Sequence, residues 1–235
     1  MEDLNGKVAL VTGASRGIGA AVARRLAASG ARLGLASRSG DDLGLDGAVA
    51  RPTDVCEPRQ LEDVVAATVA AHGGLDIVVA NAGVGAYGPF LELDPDELER
   101  MVDVNLKGTL YTARAALPHL LERGAGDFLA LASVAGVRSF PGEAVYNASK
   151  FGQVGFMRSL DNELREHGVR CTSICPGGVA TDFAMGTGRT QDMPELEGML
   201  TPDDVADVVL YTLTRPRSMR FLTTTFRPMS EASWG

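Results

Sequence analysis

Short, uniformly apolar runs alternate with longer stretches of helical periodicity from one end of the chain to the other. Val8-Ala9-Leu10-Val11 is such a run, and a glycine-rich turn follows it. The spacing then predicts a helix over residues 20–29, with Gly30 as its C-cap, and a strand over 32–36. A short third strand follows at 48–50, an Ala/Val-rich helix at 61–71 ended by Gly73-Gly74, and an apolar strand at 76–80. A long helix is predicted over 96–122, with Asp94-Pro95 setting its start. A strand at 127–132, a second long helix at 143–167 and a strand at 169–174 come next. Thr201-Pro202-Asp203-Asp204 opens a last helix as N-cap, N1 and acidic first turn, and residues 221–226 form a Thr-rich final strand.

Strands that are apolar throughout, rather than alternating, demand burial on both faces. With helices between them, this predicts an α/β fold, a doubly wound parallel sheet of Rossmann type with helices on both faces. No linker or repeat interrupts the pattern, so residues 1–235 are read as one domain. The one long stretch without regular periodicity is 182–200, where Gly186, Gly188, Pro194 and Gly198 separate Phe183, Met185 and Met193. Loops of this length in compact domains are commonly lids, and this one is read as a substrate lid.

Composition narrows the function. Hydrophobic residues make up 45% and charged residues 22%, as in an ordinary soluble domain. The net charge of −8 argues against a nucleic-acid or anionic-membrane surface. No leader or membrane span is expected, since the first apolar run is far too short. Cys56, Cys171 and Cys175 form no paired framework, which fits a reducing cytoplasm. Cys171 and Cys175 share one face of a strand as small core residues, and without a nearby His they make no metal-ligand set.

Thr12-Gly13-Ala14-Ser15-Arg16-Gly17-Ile18-Gly19 carries the first chemistry. It leaves a strand and opens a helix without bulky side chains, so backbone N–H groups and the positive helix end can approach a phosphate. The spacing differs from the G-x-G-x-x-G fingerprint, and an ordinary βα turn could hold three glycines. It does match T-G-x-x-x-G-x-G, and in this the chain resembles the short-chain dehydrogenase/reductase family. The resemblance runs from about Lys7 to Phe226. It implies dinucleotide contacts at Gly13, Ser15, Arg16, Gly17, Ile18 and Gly19, an adenine contact at Asp54-Val55, and a cofactor-lining motif at Asn81-Ala82-Gly83. It also implies that Pro176, Gly177, Val179 and Thr181 hold the nicotinamide end.

The second strand ends at Ser37-Arg38, where NAD-binding relatives carry an acid for the ribose hydroxyls. Ser37, Arg38 and Arg16 instead suit a 2′-phosphate, so the expected cofactor is NADP. Asp41, Asp42 and Asp46 stand close to Arg38 and oppose that reading. The stretch holding them, which replaces a helix of the relatives, has room for one turn at most.

Tyr146 and Lys150 lie one helical turn apart on one face. A nearby ammonium favours a phenolate, so the pair is a sensible proton-transfer unit, although Y-x-x-x-K alone is more often structural. Ser133 follows a strand at the ligand-binding edge of the sheet, and Asn105 sits within a helix that it does not favour. Asn105, Ser133, Tyr146 and Lys150 match the family's catalytic tetrad in order. The resemblance therefore implies an NADP(H)-dependent oxidoreductase that interconverts a carbonyl and an alcohol. Ser133 would bind the carbonyl oxygen and Tyr146 would move the proton. Lys150 would hold the ribose, with contacts to the cofactor from Tyr146 and Lys150 both, and would depress the Tyr146 pKa. Asn105 would anchor a water. A substrate pocket is expected at Val134, Ala135, Glu143 and residues 183–199.

The Arg227-Pro228 ending points away from a 3-oxoacyl thioester reductase, which stays as an alternative, as does a non-catalytic NADP-binding sensor. A sugar epimerase needs a larger substrate domain. A homodimer or homotetramer is expected, with the two long helices at the interface and Ala148, Gly152, Gly155 and Ser159 permitting close approach.

Overall fold

The computed structural model describes residues 4–190 and 197–232. The strands are β1 Val8–Thr12, β2 Arg32–Ser37, β3 Val49–Pro52, β4 Ile77–Ala80, β5 Gly126–Leu131, β6 Val169–Pro176 and β7 Thr223–Phe226. All pair in parallel in one sheet of order β3-β2-β1-β4-β5-β6-β7. The helices are α1 Gly17–Ala28, α2 Pro58–His72, α3 Pro95–Met101, α4 Gly108–Glu122, α5 Ala144–Leu164 and α6 Pro202–Leu213.

The strands are apolar in unbroken runs because both faces are covered. Ala9, Val11, Leu33, Leu35, Ile77, Val79, Leu129 and Ile174 pack with Val22 and Leu26 of α1 and Val205 and Val209 of α6. Their neighbours Val8, Leu10, Val78, Phe128 and Cys171 turn the other way, onto α2, α4 and α5 through Val64, Ala116, Leu120 and Met157. Each such Val or Leu contributes about 1.5–3 kcal/mol on burial, which is why alternate residues commit to opposite layers.

Two sequence expectations are revised, and a third is filled in. The predicted helix over 96–122 is helical throughout but not uniformly α: α3 and α4 are joined by a π-helical segment, Val102–Lys107, that contains Asn105. The final strand begins at Thr223 rather than 221. The segment between β2 and β3 is indeed too short for a helix, yet it leaves the sheet covered. Leu43 and Leu45 fold back with Ala48 and Ala50 onto the α1 side of the core. Asp41 Oδ1 accepts from Leu43 N at 2.7 Å and Asp42 Oδ1 from Gly44 N at 2.9 Å, so two of the three aspartates serve as turn caps.

Parallel strands put all their C-terminal ends on one edge. The order reverses between β1 and β4, and the loops leaving these two strands open a crevice there, where ligands bind in such sheets. Of the stretch 182–200, residues 191–196, including Met193 and Pro194, lie outside the described residues.

Candidate active site

The crevice starts at the β1–α1 turn. Gly13 has φ +64°, and a Cβ there would meet Ala82 Cα at 2.8 Å. A Cβ on Gly19 would lie 2.2 Å from the Gly13 oxygen. Asn81 braces the turn, donating through Nδ2 to the Thr12 and Gly13 carbonyls at 2.9 and 3.1 Å. Thr12 Oγ1 returns two bonds, accepting from the backbone N–H of Asn81 and of Ala82. Helix α1 begins at Gly17 with no side-chain cap and no acid in its first turn. The cradle thus lacks bulk, keeps its N–H groups available and carries the positive end of a helix, which is what a dinucleotide pyrophosphate requires.

From this cradle a single cavity of about 1520 Å³ runs both ways along the sheet edge. One end is lined by Ser15, Arg16, Ile18, Ser37, Arg38, Asp54 and Val55, the middle by Asn81, Ala82 and Gly83. The other end is lined by Ser133, Tyr146, Lys150, Pro176, Gly177, Val179 and Thr181. Arg38 is exposed at the cavity wall and makes no ion pair with a described residue. Ser37, whose hydroxyl caps the Gly40 N–H at 3.2 Å, holds the turn beside it. Arg16 lies 3.9 Å from Asp182, both solvent-exposed, an ion pair worth little.

Helix α5 presents Tyr146 and Lys150 to the cavity from one face. The Lys150 Nζ lies 5.7 Å from the Tyr146 ring centroid and donates to the Leu131 carbonyl at 2.9 Å. Ser133 Oγ accepts from Ala135 N at 3.1 Å as β5 ends, and its hydroxyl faces the Tyr146 phenol. Burial pushes the phenol well above its usual value, while Ser133 draws it down. Burial likewise lowers Lys150 from 10.5 to about 7, with no carboxylate among the causes that could hold its proton. For each group burial is the largest cause of its shift, which raises the phenol and lowers the amine.

A stability consequence follows. Between about 7 and 10.5 the unfolded chain holds a Lys150 proton that the folded chain does not, so wild-type stability rises with pH across that window. Lys150→Met is expected to raise the unfolding midpoint at neutral pH by roughly 2–6 °C without added cofactor. The gain should shrink as pH approaches 10.5. Equal midpoints throughout would overturn the assignment of a desolvated amine.

Asn105 stands apart from the other three. It is fully buried and lines no part of the cavity. Its Oδ1 accepts from Val84 N at 2.8 Å, and Nδ2 donates to Val84 O and Ser149 Oγ at 2.9 and 3.0 Å. Its side chain is spent on clamping the β4 loop to α5. The carbonyl of Asn105 accepts from Thr109 Oγ1, within the π-helical segment. Ala135 is likewise packed with Met101 and Tyr146 rather than exposed to the pocket, whereas Val134, Glu143, Phe183 and Met199 do line it.

Several contributors, Asn147, Tyr87, Ser230 and Glu231, were not read from the sequence. Asn147 bonds the carbonyls of Ala135 and Arg138 and the N–H of Phe140, fixing the loop after Ser133 onto α5. A second helix-unfavourable Asn beside Tyr146 was the available signal. Tyr87 meets Tyr146 edge-on at 5.6 Å between centroids, and Phe183 meets it at 5.8 Å. The tail also joins the wall: Glu231 Oε1 accepts from Gly178 N at 2.7 Å, and Ser230 Oγ donates to the Gly198 carbonyl at 2.8 Å. These contacts pair residues distant in the chain, and no local pattern marks them.

The model of the short chain dehydrogenase family matches residues 7–192. The chain belongs to that family. An uncharacterized oxidoreductase of Staphylococcus aureus strain MRSA252 is 37% identical over 236 residues, covering 97% of this chain and all of that one. An alcohol dehydrogenase from Thermococcus sibiricus, solved with 5-hydroxy-NADP, superposes with a TM-score of 0.87 at 31% identity, over 97% of this chain and 99% of its own. A 3-ketoacyl-(acyl-carrier-protein) reductase from Brucella melitensis, solved with NADH, gives 0.86 at 30% identity, over 96% and 98%. This short-chain dehydrogenase is accordingly an oxidoreductase with the family's Rossmann-like sheet. No described helix is long and apolar enough to cross a membrane.

Proposed function

We propose that the protein is an NADP(H)-dependent carbonyl/alcohol oxidoreductase with Tyr146 as its general acid and base. The observation that carries this reading is one cavity lined at one end by Ser37 and Arg38 and at the other by Ser133, Tyr146 and Lys150. When bound, the cofactor supplies or accepts the hydride. The β1–α1 cradle holds the pyrophosphate, and Arg38 with Ser37 and Arg16 takes the 2′-phosphate. Asp54-Val55 meets the adenine, Asn81 to Gly83 lines the middle, and Pro176, Gly177, Val179 and Thr181 hold the nicotinamide end.

Ser133 donates to the substrate oxygen. Tyr146 protonates it during reduction or takes the proton back during oxidation. Lys150 holds the ribose hydroxyls, whose charge-dipole partners would replace the water it has lost. Asn105 anchors a water that connects Lys150 to solvent protons, while its side chain is committed to Val84 and Ser149. Residues 182–200 serve as the substrate lid over a single domain. A homodimer or homotetramer uses the exposed part of α5, where Ala148, Gly155 and Ser159 face outward. Gly152 serves a different end, since its Cβ would press on Leu106 at 3.0 Å within the same chain.

The reading is tested by following NADPH absorbance against ketones, aldehydes and an acetoacetyl thioester. Turnover of the thioester alone would favour the acyl reductase alternative, and tight NADPH binding without any turnover the sensor. Cofactor choice has its own test. Arg38→Asp is expected to lower kcat/KM for NADPH by about 50-fold or more while leaving NADH within about threefold, because one charge-assisted phosphate contact is lost and a repulsion added. An unchanged NADPH/NADH ratio would remove Arg38 from the phosphate site.

A further inference from the structure

The stretch that follows Thr181 carries a cation, Arg189, that the proposed chemistry does not use. Residues 183–189 fold as a small turn closed by Arg189 N to Ala184 O at 3.0 Å and Gly186 N to Arg189 O at 2.9 Å. The turn is fastened to the loop after β4: Tyr87 N donates to Thr187 O at 2.8 Å, and Thr187 Oγ1 donates to Gly85 O at 2.8 Å. Gly188 lies against Tyr87, so closely that a Cβ there would come within 2.6 Å of the Tyr87 Cβ. This anchoring fixes the backbone from which Arg189 projects. Its guanidinium lies over the Tyr87 ring, 5.8 Å from the centroid, and Tyr87 in turn meets Tyr146 edge-on. Arg189 therefore stands one aromatic ring away from the phenol, on the cavity wall.

The other cavity-lining cations are occupied or remote. Arg100 pairs with Glu97, Arg227 with Glu231, and Lys150 bonds the Leu131 carbonyl. Arg16 and Arg38 sit at the opposite end. Arg189 has no described carboxylate within ion-pair distance, and its polar contact is a long one, 3.4 Å to the Val179 carbonyl. Of the acids on the same wall, Glu231 is held by Gly178 N and Arg227. Glu143 faces the chamber beyond ion-pair distance of Arg189; burial raises its pKa, and the Arg189 charge partly opposes that rise. A partly buried, forked cation beside an apolar ring is suited to one planar anion.

We propose that Arg189 is a specificity-determining residue that takes the carboxylate of the substrate, so that the enzyme's substrates are short oxo acids and the corresponding hydroxy acids. This rests on the carbonyl/alcohol reading above. In reduction, the carbonyl carbon gains a hydride from the reduced nicotinamide and the carbonyl oxygen gains the Tyr146 proton. The C=O π bond is lost, the cofactor is oxidised, and the carboxylate on Arg189 is a spectator that fixes the carbon's position. A short spacer between carbonyl and carboxylate matches the single ring that separates Arg189 from Tyr146.

The test compares acetoacetate with its methyl ester, which share the reacting ketone and differ in the charge. The wild type is expected to favour the acid by about 30-fold or more in kcat/KM, and Arg189→Met to bring the ratio near one, chiefly through KM of the acid. Arg189→Lys should recover part of the preference. Glu143→Gln should keep the acid preference, whereas a lid latch formed by Arg189 and Glu143 would make this variant mimic Arg189→Met. Equal losses for acid and ester in Arg189→Met, or a wild type with no preference, would overturn the proposal.

A second readout separates this proposal from the oxidoreductase reading beneath it. NADPH with 3-hydroxybutyrate is a dead-end pair, and quenching of NADPH fluorescence reports binding without turnover. Binding that is lost in Arg189→Met supports the anion site even if neither ketone is reduced, an outcome that would count against the oxidoreductase reading alone. Turnover of both ketones with no Arg189-dependent binding would overturn the anion site and leave the oxidoreductase reading standing.

Discussion

Tyr146→Phe is expected to lower kcat by about 10³-fold or more while NADPH affinity stays within a few fold, because general acid–base catalysis of this kind contributes about 10²–10⁴ and the positioning of substrate is lost with it. The substitution removes one oxygen and little else. The ring is buried and held edge-on by Tyr87 and at a tilt by Phe183, contacts that phenylalanine retains. Helix α5 is fixed independently, through Asn147 to the loop after Ser133 and through Ser149 to Asn105. A well-folded, cofactor-binding variant with a rate within tenfold of wild type would sink the assignment. Stopped turnover in a variant that also failed to bind NADPH would point to a structural role instead. Circular dichroism and an NADPH titration beside the rate measurement tell these apart.

The second large effect is expected from Gly19→Ala, a single methyl placed where the cofactor cradle is tightest. Its Cβ would lie 2.2 Å from the Gly13 carbonyl oxygen and 2.4 Å from Asn81 Nδ2. The first of these is backbone and cannot rotate aside. Either α1 shifts off β1 or the turn opens, and both break the Asn81 bonds to Thr12 and Gly13. Overpacking of this kind costs about 1–3 kcal/mol, and the lost bonds add to it. NADPH affinity is expected to fall by about 100-fold, since the N–H groups of the turn no longer converge. Denaturant unfolding and a fluorescence titration measure the two losses. Wild-type affinity in this variant would mean that the pyrophosphate does not sit on this turn.

These two predictions draw on different parts of what the chain makes legible. The Gly13, Gly17 and Gly19 spacing is a local pattern, and the structure gives it the physical reason that pattern requires: a Cβ on Gly13 or Gly19 would strike Ala82 or Gly13 itself, and Gly17 holds φ +54°. Tyr146 and Lys150 are also local, one turn apart on α5, so their shared face was readable. Ser133 was readable as the residue after a strand, because parallel strands place that position on the ligand edge. The cavity then brings Ser133, Tyr146 and Lys150 together with the glycine turn. Asn105 was readable for its position, while its surroundings lie beyond any local pattern. The bonds that occupy its side chain reach across the fold to Val84 and Ser149, from a segment, Val102–Lys107, that is π-helical.

The local pattern of apolar runs, turns and helix signals by itself determined the α/β class and the parallel sheet, and the family resemblance of its motifs marked Gly19 and Tyr146. It could do so because strand burial, helix periodicity and glycine turns are governed by neighbours a few residues away. Only the tertiary structure decided the protonation of the site, since the fall of Lys150 to about 7 and the rise of Tyr146 come from burial by residues remote in sequence. It alone decided that Asp41 and Asp42 cap a turn instead of neutralising Arg38. It alone set Arg189 over Tyr87 and the tail's Glu231 on Gly178. Such contacts carry no periodic signal, because what selects them is three-dimensional proximity and the loss of water, and neither is a property of any short stretch of chain.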